Sequence, residues 1–197
     1  CIFTIPMTDY KTRAIPRVCE ALSNDEQRLL YQKIKMEGTS SPYEAFLTSL
    51  CFFHAIQPMR IAEIKIESID IERRLIHMQN IPDVFLMSME MVLLKEYLLL
   101  REGFPNHVTN SHLFIRRNRG DYLPDQVVTR TFITKSVQSF SGFGPQTLRI
   151  TCLQEMAALN GPNFLREAYG ISGTHAGRYG SYEEYLVEEA LKEIDFS

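Results

Sequence analysis

Between residues 116 and 149 the chain carries Arg116, Arg117, Arg119, Arg130, Lys135 and Arg149 against only Asp121 and Asp125, a local charge of +4. Guanidinium forks are planar, permanently charged donors that match the oxygens of a phosphate, so cations grouped this way point to chemistry on a polyanion. From Tyr182 to Ser197 the balance reverses: five glutamates and one aspartate stand against one lysine, a charge of −5. A chain so divided is suited to grip phosphates with its middle and to touch protein with its tail, although its net charge is only −3. Two solvated faces account for the same charges equally well. The cysteines Cys1, Cys19, Cys51 and Cys152 form no Cys-x-x-Cys pair, so no zinc site is expected. Cys51 and Cys152 fall inside apolar helical patterns and read as buried free thiols of a reducing compartment. No metal and no cofactor is expected.

The elements that must position these groups are mostly helical. The composition, 45% hydrophobic and 23% charged, is that of a globular chain, and no apolar run approaches the roughly 20 residues needed to cross a bilayer. Residues 1–20 hold Pro6 and Pro16 without periodicity and read as an arm or linker, leaving 21–197 as one domain. Ser23 with Glu26 forms a capping box that opens a helix to about residue 36. Ser41, Pro42 and Glu44 repeat that chemistry for a second helix through Phe46, Leu47, Leu50 and Phe53, ending before Pro58. A third helix is expected from about Arg60 to Glu67. Residues 75–78 and 84–87 read as two strands around Asn80-Ile81-Pro82-Asp83, and Ser88 as the cap of a helix closed by Gly103. A further strand is expected over 113–115, followed by the turn Asn118-Arg119-Gly120. Pro124 then opens a helix to about 140. Helices over 145–159, ended by Asn160-Gly161, over 163–169, stopped by Gly170, and over 182–194 complete the order. The expected class is mainly α with a small antiparallel β-sheet.

That order, with the residues at its joints, resembles the catalytic domain of the tyrosine recombinase (phage integrase) family. The segment Phe53-His54-Ala55-Ile56-Gln57-Pro58-Met59-Arg60-Ile61-Ala62-Glu63-Ile64 looks like the stretch that carries the family's first catalytic arginine. Ile69-Asp70-Ile71-Glu72-Arg73-Arg74-Leu75-Ile76 resembles its entry into the hairpin. Gln146-Thr147-Leu148-Arg149 sits where the family usually reads His-x-x-Arg. Asn160-Gly161 and Gly170 follow in family order, and Tyr179 falls where the nucleophile is expected. The resemblance covers roughly residues 20–190.

The resemblance implies attack of a tyrosine hydroxyl on a DNA phosphate, giving a 3′-phosphotyrosine that a 5′-hydroxyl later reverses without an energy cofactor. Arg60 and Arg149 would be the phosphate clamp, because charge growing on the non-bridging oxygens needs fixed cationic donors. Tyr179 competes as nucleophile with Tyr182 and Tyr185, whose glutamate neighbours oppose both phosphate approach and tyrosine ionisation. Three departures from the family stand out. No lysine lies between Lys65 and Lys95, so the hairpin lacks its general acid; Gln146 replaces a histidine; and Ile171 follows Gly170, where the family often has His or Trp. Gln146 can donate a hydrogen bond but cannot shuttle a proton, and His175 stands nearby as a substitute. Two readings therefore remain open: a working recombinase of mobile-element or plasmid DNA with a degenerate site, and an inactive recombinase fold that binds DNA or assembles with partners. Double-stranded DNA would be held chiefly by Arg116, Arg117, Arg119, Arg130 and Lys135. The resemblance further implies a preceding DNA-binding domain joined through residues 1–20, a homo-oligomer (a tetramer on DNA) in which the acidic tail docks on a neighbour, and a cytoplasmic, nucleoid-associated location.

Overall fold

The structure, a computed structural model, describes residues 20–116 and 126–179. Expectations for the first 19 residues, for Arg117, Arg119, the 118–120 turn and Pro124, and for the acidic helix with Tyr182 and Tyr185, lie outside the described residues.

Helix α1, Asn24–Glu37, begins on the expected capping box: the Ser23 hydroxyl accepts from the Glu26 N–H, and the Glu26 carboxylate accepts from the Ser23 N–H at 2.8 Å. Helix α2, Pro42–Phe53, also starts where expected, but Ser41 makes no capping hydrogen bond with its side chain. A short 3-10 turn, Gly38–Ser40, leads straight into it and sets the Ser41 backbone at φ −139°, ψ 61°. From Tyr43 to Phe52 every residue of α2 except Glu44 is buried, as befits a helix that packs against α4, α5 and α6. The buried hydroxyls of Thr48 and Ser49 are satisfied within the helix, Thr48 donating to the Glu44 carbonyl at 2.8 Å and Ser49 to that of Phe46 at 3.0 Å, whereas the buried Tyr43 hydroxyl has no hydrogen-bond partner among the described residues.

The third helix is shorter and earlier than expected. It spans Pro58–Ala62 (α3), with proline in its first turn, and gives way to a separate 3-10 turn, Ile66–Ser68. The reason is tertiary pairing: Ile66 donates to the Ser111 carbonyl at 2.9 Å, and Leu113 donates to that of Ile64 at 2.7 Å, so Lys65 between them is extended. Those bonds also account for 113–115. The expected strand is absent, apart from one isolated bridge between Lys65 and His112, and the segment is a buried extended stretch held by side chains. Tyr97 and Arg101 both donate to the Leu113 carbonyl, and Arg101 also reaches the carbonyls of His107, Asn110 and His112.

Strands β1 (Ile69–Asp70), β2 (Leu75–Ile76) and β3 (Val84–Phe85) form an antiparallel sheet in the order β1-β2-β3, with Ile69 opposite Ile76 and Ile76 opposite Val84. The last two strands are shorter than expected but flank the expected turn. Helix α4, Ser88–Glu102, is capped through Glu90, whose carboxylate accepts from the Met87 N–H at 3.0 Å; Ser88 is its first helical residue, and its hydroxyl instead accepts from Arg74. Helix α5 runs Arg130–Ser141, with Thr129 as its N-cap and Gly142 left-handed at φ 80° at its end. Helix α6, Pro145–Tyr169, is broken at Gly161 (φ 77°, ψ 160°) immediately before Pro162, and it ends on left-handed Gly170. A single turn, α7 (Gly173–Ala176), follows.

The main core gathers around α2, with Tyr97 stacked on Phe114 at 5.4 Å and Tyr43 edge-on to both. A second, smaller cluster joins Ala55, Cys152, Leu153, Ala157, Leu165 and Ala176, with Tyr169, Ile171 and Tyr179 packed on it. Mainly helical with one small antiparallel sheet, the architecture is the expected one. No helix among the described residues is long and apolar enough to cross a membrane.

Candidate functional site

The end of α2, helix α3, the β2–β3 turn, both ends of α6 and the segment through α7 enclose one cleft of about 670 Å³. Its wall includes Arg60, Gln146, Arg149, His175 and Tyr179. These five come from segments separated by more than 80 residues at the widest break, and the fold brings them to a single surface.

Arg149 lies in the first turns of α6. Its Nε–H donates to the Ala55 carbonyl at 2.6 Å, and its Nη1 donates to the Gln146 side-chain oxygen at 3.3 Å. Ala55 presents that carbonyl from a left-handed backbone, φ 50°, a conformation that a residue with a Cβ adopts only when its surroundings enforce it. Burial draws the Arg149 guanidinium below its ordinary pKa, while Tyr179 and then the thiols of Cys51 and Cys152 act the other way. Tyr179 is thus electrostatically within reach of Arg149. It is half-buried on the smaller cluster, and its backbone N–H donates to the Ala176 carbonyl at 3.0 Å.

Arg60, on α3, is the more open cation, with 39% of its side chain exposed and Glu63 at 3.8 Å. A pair so long and so wet constrains it little. His175 is exposed, and its Nδ1 lies 2.7 Å from the Ser172 hydroxyl. Gln146 accepts from Arg149 through its oxygen, which leaves its NH₂ as the donor. Of the other described members of the basic group, Arg116, Arg130 and Lys135 do not line the cleft. Arg116 lies over the Phe132 ring at 4.8 Å, and Arg130 and Lys135 are exposed residues of α5.

Several cleft residues were not among those expected to act there. Arg178 lines it with Tyr179, as do Ile81, Pro82 and Asp83 of the hairpin turn. Asp83 is tied to His77 Nδ1 at 2.8 Å, which holds its carboxyl below the ordinary range. His54 also lines the cleft and pairs with Glu90, 36 residues away, at 2.9 and 3.0 Å. Among the described residues no cluster of His, Cys, Asp and Glu could hold a metal. Cys51 and Cys152 are free and buried, and burial pushes their thiols up to about 12 and about 11.

The sequence matches no protein-family model and no curated protein. Solved structures do match. The XerA recombinase superposes with a TM-score of 0.66 at 18% identity, over 88% of this chain and 65% of that one. The chain carries the tyrosine recombinase catalytic fold. The XerH site-specific recombinase matches in two states. Its post-cleavage complex with palindromic difH gives a TM-score of 0.65 at 19% identity, over 89% of this chain and 53% of that one. Its pre-cleavage complex with difH gives 0.65 at 21%, over 87% and 53%. The chain therefore spans about half to two thirds of the recombinases it matches.

Within the tyrosine recombinase fold the three departures acquire physical surroundings. The β2–β3 turn lines the cleft with Ile81, Pro82 and Asp83, and no lysine is among the described cleft residues. Gln146 braces Arg149. Ile171 packs on the smaller apolar cluster beside Tyr179, where an imidazole would need a polar partner.

Proposed function

We propose that this chain is the catalytic part of a site-specific DNA recombinase, with 21–197 as the catalytic domain and 1–20 as an arm. A backbone phosphate of double-stranded DNA occupies the cleft. Arg60 and Arg149 hold its non-bridging oxygens, Gln146 donates a further hydrogen bond, and His175 serves proton transfer at the open rim. The Tyr179 hydroxyl attacks phosphorus to give a 3′-phosphotyrosyl link and a free 5′-hydroxyl, and the reverse attack by another strand's 5′-hydroxyl rejoins the DNA. One observation carries this reading: Arg60, Arg149 and Tyr179 line one cleft, with Tyr179 close enough to Arg149 to influence its ionisation. Two guanidinium groups beside a hydroxyl nucleophile suit phosphoryl transfer without a metal. The protein acts on mobile-element or plasmid DNA as a homotetramer, inside the cytoplasm and at the nucleoid.

A second reading, a recombinase fold that binds DNA without cutting it, draws on the absence of lysine from the described cleft residues and on Ile171 being apolar. Covalent trapping separates the two. The protein is mixed with nicked duplexes from the flanks of its own gene, beside Tyr179→Phe. An adduct that survives denaturant and disappears in the variant is expected. Salt-sensitive binding with no adduct would leave only the second reading.

A further inference from the structure

Glu90 is a carboxylate with no exposure at all, and such a group must be paired or lose its charge. One oxygen accepts from the Met87 N–H, and both lie within 3.0 Å of His54 Nε2, its ion-pair partner among the described residues. This pairing fixes the imidazole and commits Nε2, leaving Nδ1 without a partner among the described residues. His54 lines the cleft, 17% of its side chain is exposed, and the next residue supplies the carbonyl that holds Arg149. Among the described cleft residues there is no lysine, and His54 and His175 are the two imidazoles. Of these only His54 is backed by a buried carboxylate, the arrangement that orients an imidazole.

We propose that His54, oriented by Glu90, is the catalytic acid of the cleft. This rests on the cleavage chemistry proposed above. As the Tyr179 oxygen bonds to phosphorus and the bond from phosphorus to the 5′ oxygen breaks, the Nδ1 proton passes to that leaving oxygen. The proton shed by Tyr179 passes by way of His175 at the open rim to water. In the rejoining step the 5′-hydroxyl returns a proton to Nδ1, and the tyrosine oxygen regains one from water, so atoms and charge balance over the cycle.

The test uses nicked duplexes with either the natural oxygen or sulfur at the bridging 5′ position of the cleaved phosphate, because a thiolate leaves without protonation. His54→Gln is expected to form adduct about 10²–10⁴-fold more slowly on the oxygen duplex and near the wild-type rate on the sulfur duplex. His175→Gln is expected to show no such selective rescue. Equal slowing of His54→Gln on both duplexes, or selective rescue of His175→Gln instead, would overturn the assignment while leaving the cleavage reading intact. Adduct from neither duplex with wild-type protein would sink the cleavage reading itself. Should His54→Gln not fold, Glu90→Gln decides, since its amide oxygen can still accept from Met87. The other charged or titratable groups among the described cleft residues are Arg60, Asp83, Arg149, Tyr169, His175, Arg178 and Tyr179. Loss of the Glu90 carboxylate that orients the imidazole should slow adduct formation on the oxygen duplex and leave the sulfur-duplex rate in place. An unslowed oxygen-duplex rate would count against His54.

Discussion

Arg149 gives its Nε–H to the Ala55 carbonyl and one Nη1 hydrogen to Gln146, so among the described residues both Nη2 hydrogens and one on Nη1 remain for a ligand. The backbone bond at 2.6 Å fixes the plane of the fork before a phosphate arrives, which is what preorganised electrostatic stabilisation requires. A lysine here would keep the charge but lose both the brace and the planar geometry. Arg149→Lys should therefore bind DNA nearly as well as the parent and form the tyrosyl adduct about 10²–10³-fold more slowly, the usual cost of one lost transition-state donor. Single-turnover trapping at saturating protein separates the two quantities. A variant that cleaves normally would show that point charge, not the braced fork, is what the cleft uses.

At the scale of elements, α6 does the most to assemble the cleft, because its first turn carries Gln146 and Arg149 and its last turn delivers Tyr169 and Gly170. The change of direction between them occurs at Gly161, whose φ of 77° with ψ of 160° lies in a region essentially closed to residues with a Cβ. Pro162 enforces the break by removing a donor from the ladder and excluding a helical conformation at its predecessor. Asn160-Gly161 is legible in the sequence as a helix end, but the structure makes it a hinge, since Pro162 restarts the helix at once. Gly161→Ala should lower stability by about 1–3 kcal/mol in chemical denaturation, the usual range for such backbone strain. It should also reduce adduct formation further than the unfolded fraction explains, because Tyr179 sits beyond the hinge. An unchanged denaturation midpoint would mean that the turn relaxes without strain.

For the whole molecule, what the sequence makes legible divides along the range of the interactions. Local signals such as the Ser23–Glu26 box, Pro42 at a first turn and left-handed Gly170 placed their elements, because each is settled within a few residues. Ile66 to Ser111, Arg101 to four carbonyls and His54 to Glu90 were not legible, because their partners are fixed only once the chain has folded. The basic stretch was legible as charge but not as two surfaces. Arg149 lies inside the cleft, whereas Arg130 and Lys135 project from the solvent side of α5. If those two hold DNA through its backbone outside the reacting phosphate, binding and chemistry are separable. Reversing both, Arg130→Glu with Lys135→Glu, should weaken binding to any duplex alike and flatten the plot of log affinity against log salt by about 2, from roughly 0.9 for each phosphate no longer neutralised. The rate of adduct formation from saturated complex should stay at the wild-type value, because neither residue lines the cleft. Unaltered affinity and salt slope would remove α5 from the DNA-facing surface, while a slowed rate at saturation would place α5 closer to the reacting phosphate than its exposure implies.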